Sequence, residues 1–248
     1  MIWSPLAAMN TLISPTTLAY PIMIIDWNTI DTVLLDMDGT LLDLHYDNYF
    51  WSTYLPKRYA DIKNIPLDLA EANLRQHIRS LEGTLNWYCL DYWSEALEIN
   101  IGELKAEPAI THKIIERPHT LEFLQFLHAK NKHVVLVTNA HPTGLNMKIA
   151  ATTFGGYLHH IVSSHQFQTP KEEQRFWQYL SKHLLALAHG KLTFDPARTL
   201  FIDDNERILQ AANTYGIAHT IGIHQPDSTI LRQLAIPNAI HHFTEIMH

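Results

Sequence analysis

The stretch Asp31-Thr32-Val33-Leu34-Leu35-Asp36-Met37-Asp38-Gly39-Thr40-Leu41-Leu42-Asp43 sets an aliphatic run directly against two carboxylates two residues apart and a glycine. Val33 to Leu35 has the β-branched and aliphatic character of a strand covered on both faces, so it predicts a buried parallel strand ending at Asp36. Two carboxylates this close at a strand end repel each other, and the repulsion raises one pKa unless a cation neutralises them. A hard, oxygen-seeking ion such as Mg²⁺ suits the pair. The position also fits, because open α/β sheets bind ligands just beyond the carboxyl ends of their strands.

C-terminal to Asp43 the pattern changes. Asp47-Asn48-Tyr49-Phe50-Trp51, Leu67 to Arg75 and Thr84 to Trp93 repeat apolar residues at three- and four-residue spacing, with Pro56 and Pro66 as punctuation. That spacing predicts amphipathic helices. Residues 44–115 thus read as a helical cap inserted between the first two strands, its aromatics forming a core of their own and Cys89 a packed thiol among them. Arg117-Pro118-His119-Thr120 then opens a helix whose Leu121, Leu124 and Leu127 face the sheet.

Three further apolar runs end in polar residues. Val134 to Val137 leads into Thr138-Asn139, which offers a hydroxyl and backbone N–H groups to a phosphate but is equally compatible with an ordinary helix cap. Ile161 to Ser164 precedes Gln168-Thr169-Pro170-Lys171 and a helix expected to begin at Glu172. A lysine at a helix start opposes the macrodipole, so Lys171 is either an exposed surface residue or the partner of a fixed anion. Thr199 to Ile202 ends in Asp203-Asp204, and a helix from Glu206 to Tyr215 is stopped by Gly216. A fifth strand spans Ala218 to Ile223, and the tail from His224 carries no pattern. Strands alternating with helices give a Rossmann-like parallel α/β sheet with crossover helices on both faces.

Composition narrows the partners. With 248 residues, 46% of them hydrophobic, the chain can bury one full-sized core and a smaller inserted one. Charged residues make up 17% and the net charge is −7, which argues against DNA or RNA, whose binding needs clustered Lys and Arg. The seventeen histidines show no repeating ligand spacing and are expected on the solvated surface. Cys89 is the only cysteine, so no disulfide can form within the chain, consistent with a reducing cytoplasm. Met1 to Pro21 is apolar but broken by proline, and the first basic side chain is Lys57. It lacks the basic start of a secretory signal and the run of about 20 apolar residues that a membrane span needs. A cytoplasmic protein with no membrane partner is expected.

Asp36-Met37-Asp38-Gly39-Thr40, Thr138, Lys171 and Asp203-Asp204, in this order, resemble the four signatures of the haloacid dehalogenase-like hydrolases. Most members are Mg²⁺-dependent phosphatases that work through an aspartyl phosphate. The resemblance begins near Met23 and divides the chain into an N-terminal extension (1–22), expected to be disordered or to follow a misplaced start codon, an α/β phosphatase core (23–43 and 116–248) and the helical cap (44–115). It implies Asp36 as nucleophile and Asp38 as general acid and base. It also implies Mg²⁺ on Asp36, the Asp38 carbonyl and Asp203, with Asp204 acting through water. Thr138, the Asn139 N–H and Lys171 would then hold the phosphoryl oxygens.

Asp43-Leu44, Asp47 to Trp51, Thr84 to Trp93, Thr138 to Pro142, Pro170 to Arg175 and Arg198 to Asp204 are similar, more narrowly, to the branch of that family acting on GMP and IMP. The implied activity is that of a 5′-nucleotidase with a small nucleotide substrate. An amide could read a 6-oxopurine by donating to O6 and accepting from N1–H, and Asn48 and Asn86 are the candidates. The same fold also hosts phosphatases of sugar phosphates or phosphoglycolate, phosphomutases, and dehalogenases, which have no use for Asp38. A non-catalytic phosphate-binding protein would have no reason to keep Asp36, Asp38, Thr138, Lys171 and Asp203 together.

Overall fold

Thr32–Leu35 (β1) lies at the centre of a parallel sheet in the computed structural model, which describes residues 25–187 and 194–248. The expected extension at 1–22 lies outside the described residues. His133–Thr138 (β2), His160–Ser163 (β3), Thr199–Asp203 (β4), His219–Ile223 (β5) and Ala239–Ile240 (β6) complete it in the order β3-β2-β1-β4-β5-β6. The chain moves one way from β1 through β2 to β3 and then returns to build β4 to β6 on the other side. The crevice this reversal opens at the carboxyl ends of β1 and β4 is where such sheets bind ligands. Register brings the functional ends level, since Leu35 pairs with both Leu136 and Ile202, and the Asp36 N–H donates to the Ile202 carbonyl at 3.0 Å.

Every β1 residue is buried because both faces are covered. Val33 and Leu35 point to one side, into a cluster with Phe123, Leu124 and Leu127, while Leu34 points to the other, against Phe176, Trp177 and Leu180. Each such side chain contributes about 1.5–3 kcal/mol by leaving water. Truncating Leu34 to Ala at this doubly covered position costs about 2–5 kcal/mol.

Between β1 and β2 the chain is helical from His45 to Thr111, with buried residues of its own that include Tyr46, Phe50, Trp51, Trp87 and Trp93. Pro56 does not interrupt these helices as its sequence position suggests. It sits in the first turn of Leu55–Lys63, directly after a π-helical turn at Phe50–Tyr54 in which the Leu55 N–H reaches back to the Phe50 carbonyl. That widened turn accommodates the amide hydrogen proline lacks. Pro66 does punctuate, since it precedes Leu67–Leu81 after Asn64 has turned left-handed at φ 52°.

The helix expected from Arg117 begins at Thr120, because His119 before it turns left-handed at φ 66°, and the Arg117 guanidinium braces the tail by donating to the carbonyls of Gln225 and His241 at 2.8 and 3.1 Å. The helix expected at Glu172 begins at Gln174. The tail is not featureless. Its Leu234 and Ile236 pack so closely over Gly222 that a Cβ there would lie 2.5 and 2.7 Å from their methyl carbons, and Ala239–Ile240 then extends the sheet. Among the described residues no helix is long and apolar enough to cross a membrane.

Candidate active site

The carboxyl ends of β1, β2 and β4 and the loop after β3 converge on a cleft beneath the inserted helices. Asp36, Asp38, Thr138, Asn139, Lys171, Asp203 and Asp204 all line it. Lys171 is 1% exposed, and its ammonium donates to Asp36 Oδ1 at 2.5 Å, Asp203 Oδ2 at 2.8 Å and the Val137 carbonyl at 3.1 Å. A surface role for this lysine is thereby excluded. Burial alone would lower its pKa, but the negative charges of Asp203 and Asp36 outweigh that and raise it. The same burial drives the carboxyl pKa values of Asp36 and Asp203 upward against the attraction of Lys171.

Asp36, Asp203 and Asp204 bring ligand oxygens within 4.8 Å of one another. Against these three acids stand Lys171 and, 3.6 Å from Asp204, the partly exposed Arg232. Buried negative charge therefore remains in excess. Gly39 is what lets the loop after β1 close on this group. It holds φ +89°, and a Cβ would sit 2.8 Å from Asp204 Cγ. An all-oxygen donor set with surplus negative charge fits a hard divalent cation such as Mg²⁺.

Asp38 belongs to a different electrostatic chain. Lys148 donates to Asp38 Oδ1 at 2.6 Å and to Asp47 Oδ2 at 2.5 Å, and Lys105 donates to Asp47 Oδ1 at 2.7 Å. Burial, offset by Lys148 and reinforced by Asp47 and Asp36, pushes the Asp38 carboxyl up to about 7. A carboxyl near neutrality can both give and take a proton. Asp47, by contrast, is held well below the usual carboxylate range, because Lys105 and Lys148 together overcome the burial that would raise it. Sequence reasoning missed Lys148 and Lys105 and treated Asp47 only as part of a similar run. Nothing local marks these residues, since their pairing exists only once the inserted helices meet the helix Pro142–Ala150.

The Asn139 side chain positions the third element. Its Oδ1 accepts the Lys171 backbone N–H at 2.9 Å, and its Nδ2 donates to Glu172 Oε2 at 3.0 Å. Tyr88, on the inserted segment, donates to the other Glu172 oxygen at 2.7 Å, so this carboxylate joins the two layers. Thr138 Oγ1 accepts the Ala140 N–H at 3.0 Å, which leaves its own proton to donate.

The structure does not bring the two expected base-reading amides into the cleft. Asn48 donates to Asp227 Oδ2 at 2.7 Å, Asn86 is exposed, and neither lines the cavity. Its wall is formed on the inserted side by Trp51, Trp87, Tyr88 and Leu90, and the buried indole N–H of Trp87 has no hydrogen-bond partner. Two of the histidines also depart from the expected surface placement: His165 is buried, and His141 lines the cleft.

A family model described as haloacid dehalogenase-like hydrolase matches residues 30–216. The chain is 43% identical over 206 residues to the GMP/IMP nucleotidase YrfG of Escherichia coli (strain K12), covering 83% of this chain and 88% of that one. A HAD phosphatase from Thermococcus onnurineus superposes with a TM-score of 0.66 at 18% identity, over 79% of this chain and 86% of the other. The HAD-hydrolase YfnB of Bacillus subtilis, bound to magnesium, gives 0.60 at 16% identity, over 87% and 96%. At such identities the two structures speak to the fold alone.

Proposed function

The chain belongs to the haloacid dehalogenase-like hydrolases, and from that premise we propose that it is a Mg²⁺-dependent 5′-nucleotidase cleaving purine nucleoside monophosphates, GMP and IMP before AMP. The observation that carries this reading is the division of labour on one turn after β1. Asp36 is clamped by a charged lysine beside Asp203, whereas Asp38 sits two residues on with a pKa near 7.

In this reading Asp36 attacks phosphorus, the bond from phosphorus to the ribose oxygen breaks, and that oxygen takes the proton of Asp38. Water then attacks the aspartyl phosphate and gives its proton to Asp38, so that inorganic phosphate leaves and the Asp36 carboxylate is restored. Lys171 fixes one oxygen of Asp36 and places positive charge beside the transferring group. The Thr138 hydroxyl and the Asn139 N–H donate to the phosphoryl oxygens. Asp36, Asp203 and the Asp38 carbonyl would hold Mg²⁺, with Asp204 acting through water. The ion supplies charge neutralisation between carboxylate and phosphate.

The inserted helices act as a cap that excludes water, and their aromatic wall suits a flat purine. The buried Trp87 N–H is an unpartnered donor that a small rotation of the ring would bring to the cleft, where it complements the O6 acceptor of GMP and IMP and mismatches the amino group of AMP. The relative from Escherichia coli bears a name with the same two nucleotides.

A phosphate-release assay with GMP, IMP, AMP, UMP and a panel of sugar phosphates, with and without Mg²⁺, tests the reading. Release from GMP and IMP that requires Mg²⁺ is expected. Preference for a sugar phosphate would overturn the nucleotidase assignment while leaving the chemistry standing, and isomerisation without free phosphate would make the protein a mutase.

A further inference from the structure

Cys89, on the inserted segment, meets His141 and His165, which follow the ends of β2 and β3. One ligand atom from each lies within 4.8 Å of the others. None of these residues is used by the hydrolytic reading. The His141 and His165 rings are 4.9 Å apart and nearly perpendicular at 84°, so they do not stack. His165 is only 9% exposed, and its Nε2 is fully buried without a hydrogen-bond partner. Leaving a buried polar nitrogen unpaired costs about 1–3 kcal/mol, so its placement calls for an occupant.

His141 Nδ1 receives the Thr143 N–H, which turns Nε2 toward Asp91 Oδ2 at 3.3 Å. The Tyr92 N–H donates to Cys89 Sγ at 3.5 Å, which fixes the sulfur at the start of its helix. Asp91 itself is 85% exposed at the side chain and free to swing inward.

We propose that Cys89, His141 and His165, with Asp91 as fourth ligand, bind a thiophilic divalent transition ion such as Zn²⁺ that pins the inserted helices to the sheet domain. One sulfur and two imidazoles select such an ion over Mg²⁺, which takes oxygen donors. The site is thus chemically distinct from the carboxylate group of Asp36, Asp203 and Asp204. Zinc bond lengths of about 2.3 Å to sulfur and 2.0 Å to nitrogen place tetrahedral ligand atoms roughly 3.5 Å apart. The widest gap in the present cluster therefore closes by at most roughly 1.3 Å. Binding expels the thiol proton to solvent and leaves a Cys89–metal bond. Because two ligands come from each layer, the ion would resist their separation. The inference does not depend on which phosphate ester is cleaved.

Co²⁺ titration of the full chain, with Mg²⁺ in large excess, tests it. Since Cys89 is the only cysteine, a thiolate-to-cobalt charge-transfer band can arise from this site alone, whatever the other histidines bind. The band is expected at one equivalent, to be displaced by one equivalent of Zn²⁺, and to vanish in Cys89→Ser. His165→Ala should weaken Co²⁺ binding at least about tenfold, and His141→Asn, which keeps a capping side chain at the helix start, should do the same with the protein folded by circular dichroism. Zn²⁺ should also raise the Tm of the native chain but not of Cys89→Ser. Absence of the band at stoichiometric Co²⁺, or a band whose affinity is unchanged in both histidine variants, would overturn the proposal.

Discussion

Lys171 and Lys148 are both buried lysines bridging two carboxylates, yet the clusters around them balance differently. Lys148 joins Asp38 to Asp47, and the remaining oxygen of Asp47 is taken by Lys105, so two acids face two bases. Lys171 joins Asp36 to Asp203 with Asp204 alongside, and only the peripheral Arg232 offsets the third acid. Burying each ion costs several kcal/mol, which only good pairing repays. The balanced cluster has no surplus charge to attract a metal ion, so it joins the inserted helices to the sheet while holding Asp38 in place for proton transfer. The unbalanced one retains carboxylate oxygens with an appetite for a cation, which is the condition for chemistry on a phosphate.

The strongest test of this contrast removes one acid from the unbalanced group. Asp36→Asn keeps shape and packing but deletes the nucleophile, so phosphate release should fall by about 10⁴-fold or more, with a folded protein by circular dichroism. Retained turnover would end the covalent mechanism. Asp47→Asn strikes the balanced group instead. It strips Lys105 and Lys148 of their shared partner, and denaturant unfolding should show a loss of about 3–5 kcal/mol. A much smaller loss would mean the joint contributes little. Lys171→Ala lies between the two kinds of effect: removing a preorganised charge should lower kcat by about 10²–10³-fold. Unlike Asp47→Asn, it should also alter the Mg²⁺ concentration needed for half-maximal rate, because the carboxylates lose their resident cation.

The two clusters were unequally legible in the sequence. Asp36, Thr138 and Asp203 close or directly follow short aliphatic runs, and parallel register carries such ends to one edge of the sheet whatever else the chain does. Lys171 was ambiguous alone and is decided by the two carboxylates it meets. Lys148 could not be read, since it sits in the last turn of its helix, where lysine is ordinary, and its partners are 101 and 110 residues away. Asn48 looked available to a base because the sequence does not reveal Asp227, which engages it across 179 residues. β6 is two residues long and lacks a period to detect. Cys89, His141 and His165 lie in three separate segments, so no spacing pattern joins them.

Trp87 sharpens the contrast as a buried donor with no partner at all. If its N–H serves O6, Trp87→Phe keeps the aromatic wall and removes one hydrogen bond worth about 1.4 kcal/mol, or roughly tenfold. The ratio of kcat/KM for GMP over AMP should shrink by that factor, with kcat for GMP nearly unchanged. A ratio that stays constant would assign base selection elsewhere on the wall.

The smallest effect comes from acid titration of the balanced cluster. Asp47 has a folded-state pKa held below the ordinary carboxylate value, its burial being outweighed by Lys105 and Lys148. In the window between the two values the unfolded chain binds the proton and the folded chain does not, so stability rises with pH there. The contribution of Asp47 is accordingly complete above the unfolded pKa of about 3.9 and is lost as pH falls through that value toward the folded one. With an unfolded pKa of about 3.9, roughly 0.7 kcal/mol should be gone at pH 3.5. The measurement is the difference in urea unfolding free energy between Asp38→Asn and the double variant Asp38→Asn/Asp47→Asn, a background without the Asp38 carboxyl, which Asp47 itself helps push up to about 7. It should be flat from pH 7 to pH 5 and narrow by that amount at pH 3.5. Burial without pairing would have raised the Asp47 pKa, and the difference would then begin to change near neutrality instead. The pH at which the two curves start to converge therefore reports whether Lys105 and Lys148 complete this cluster.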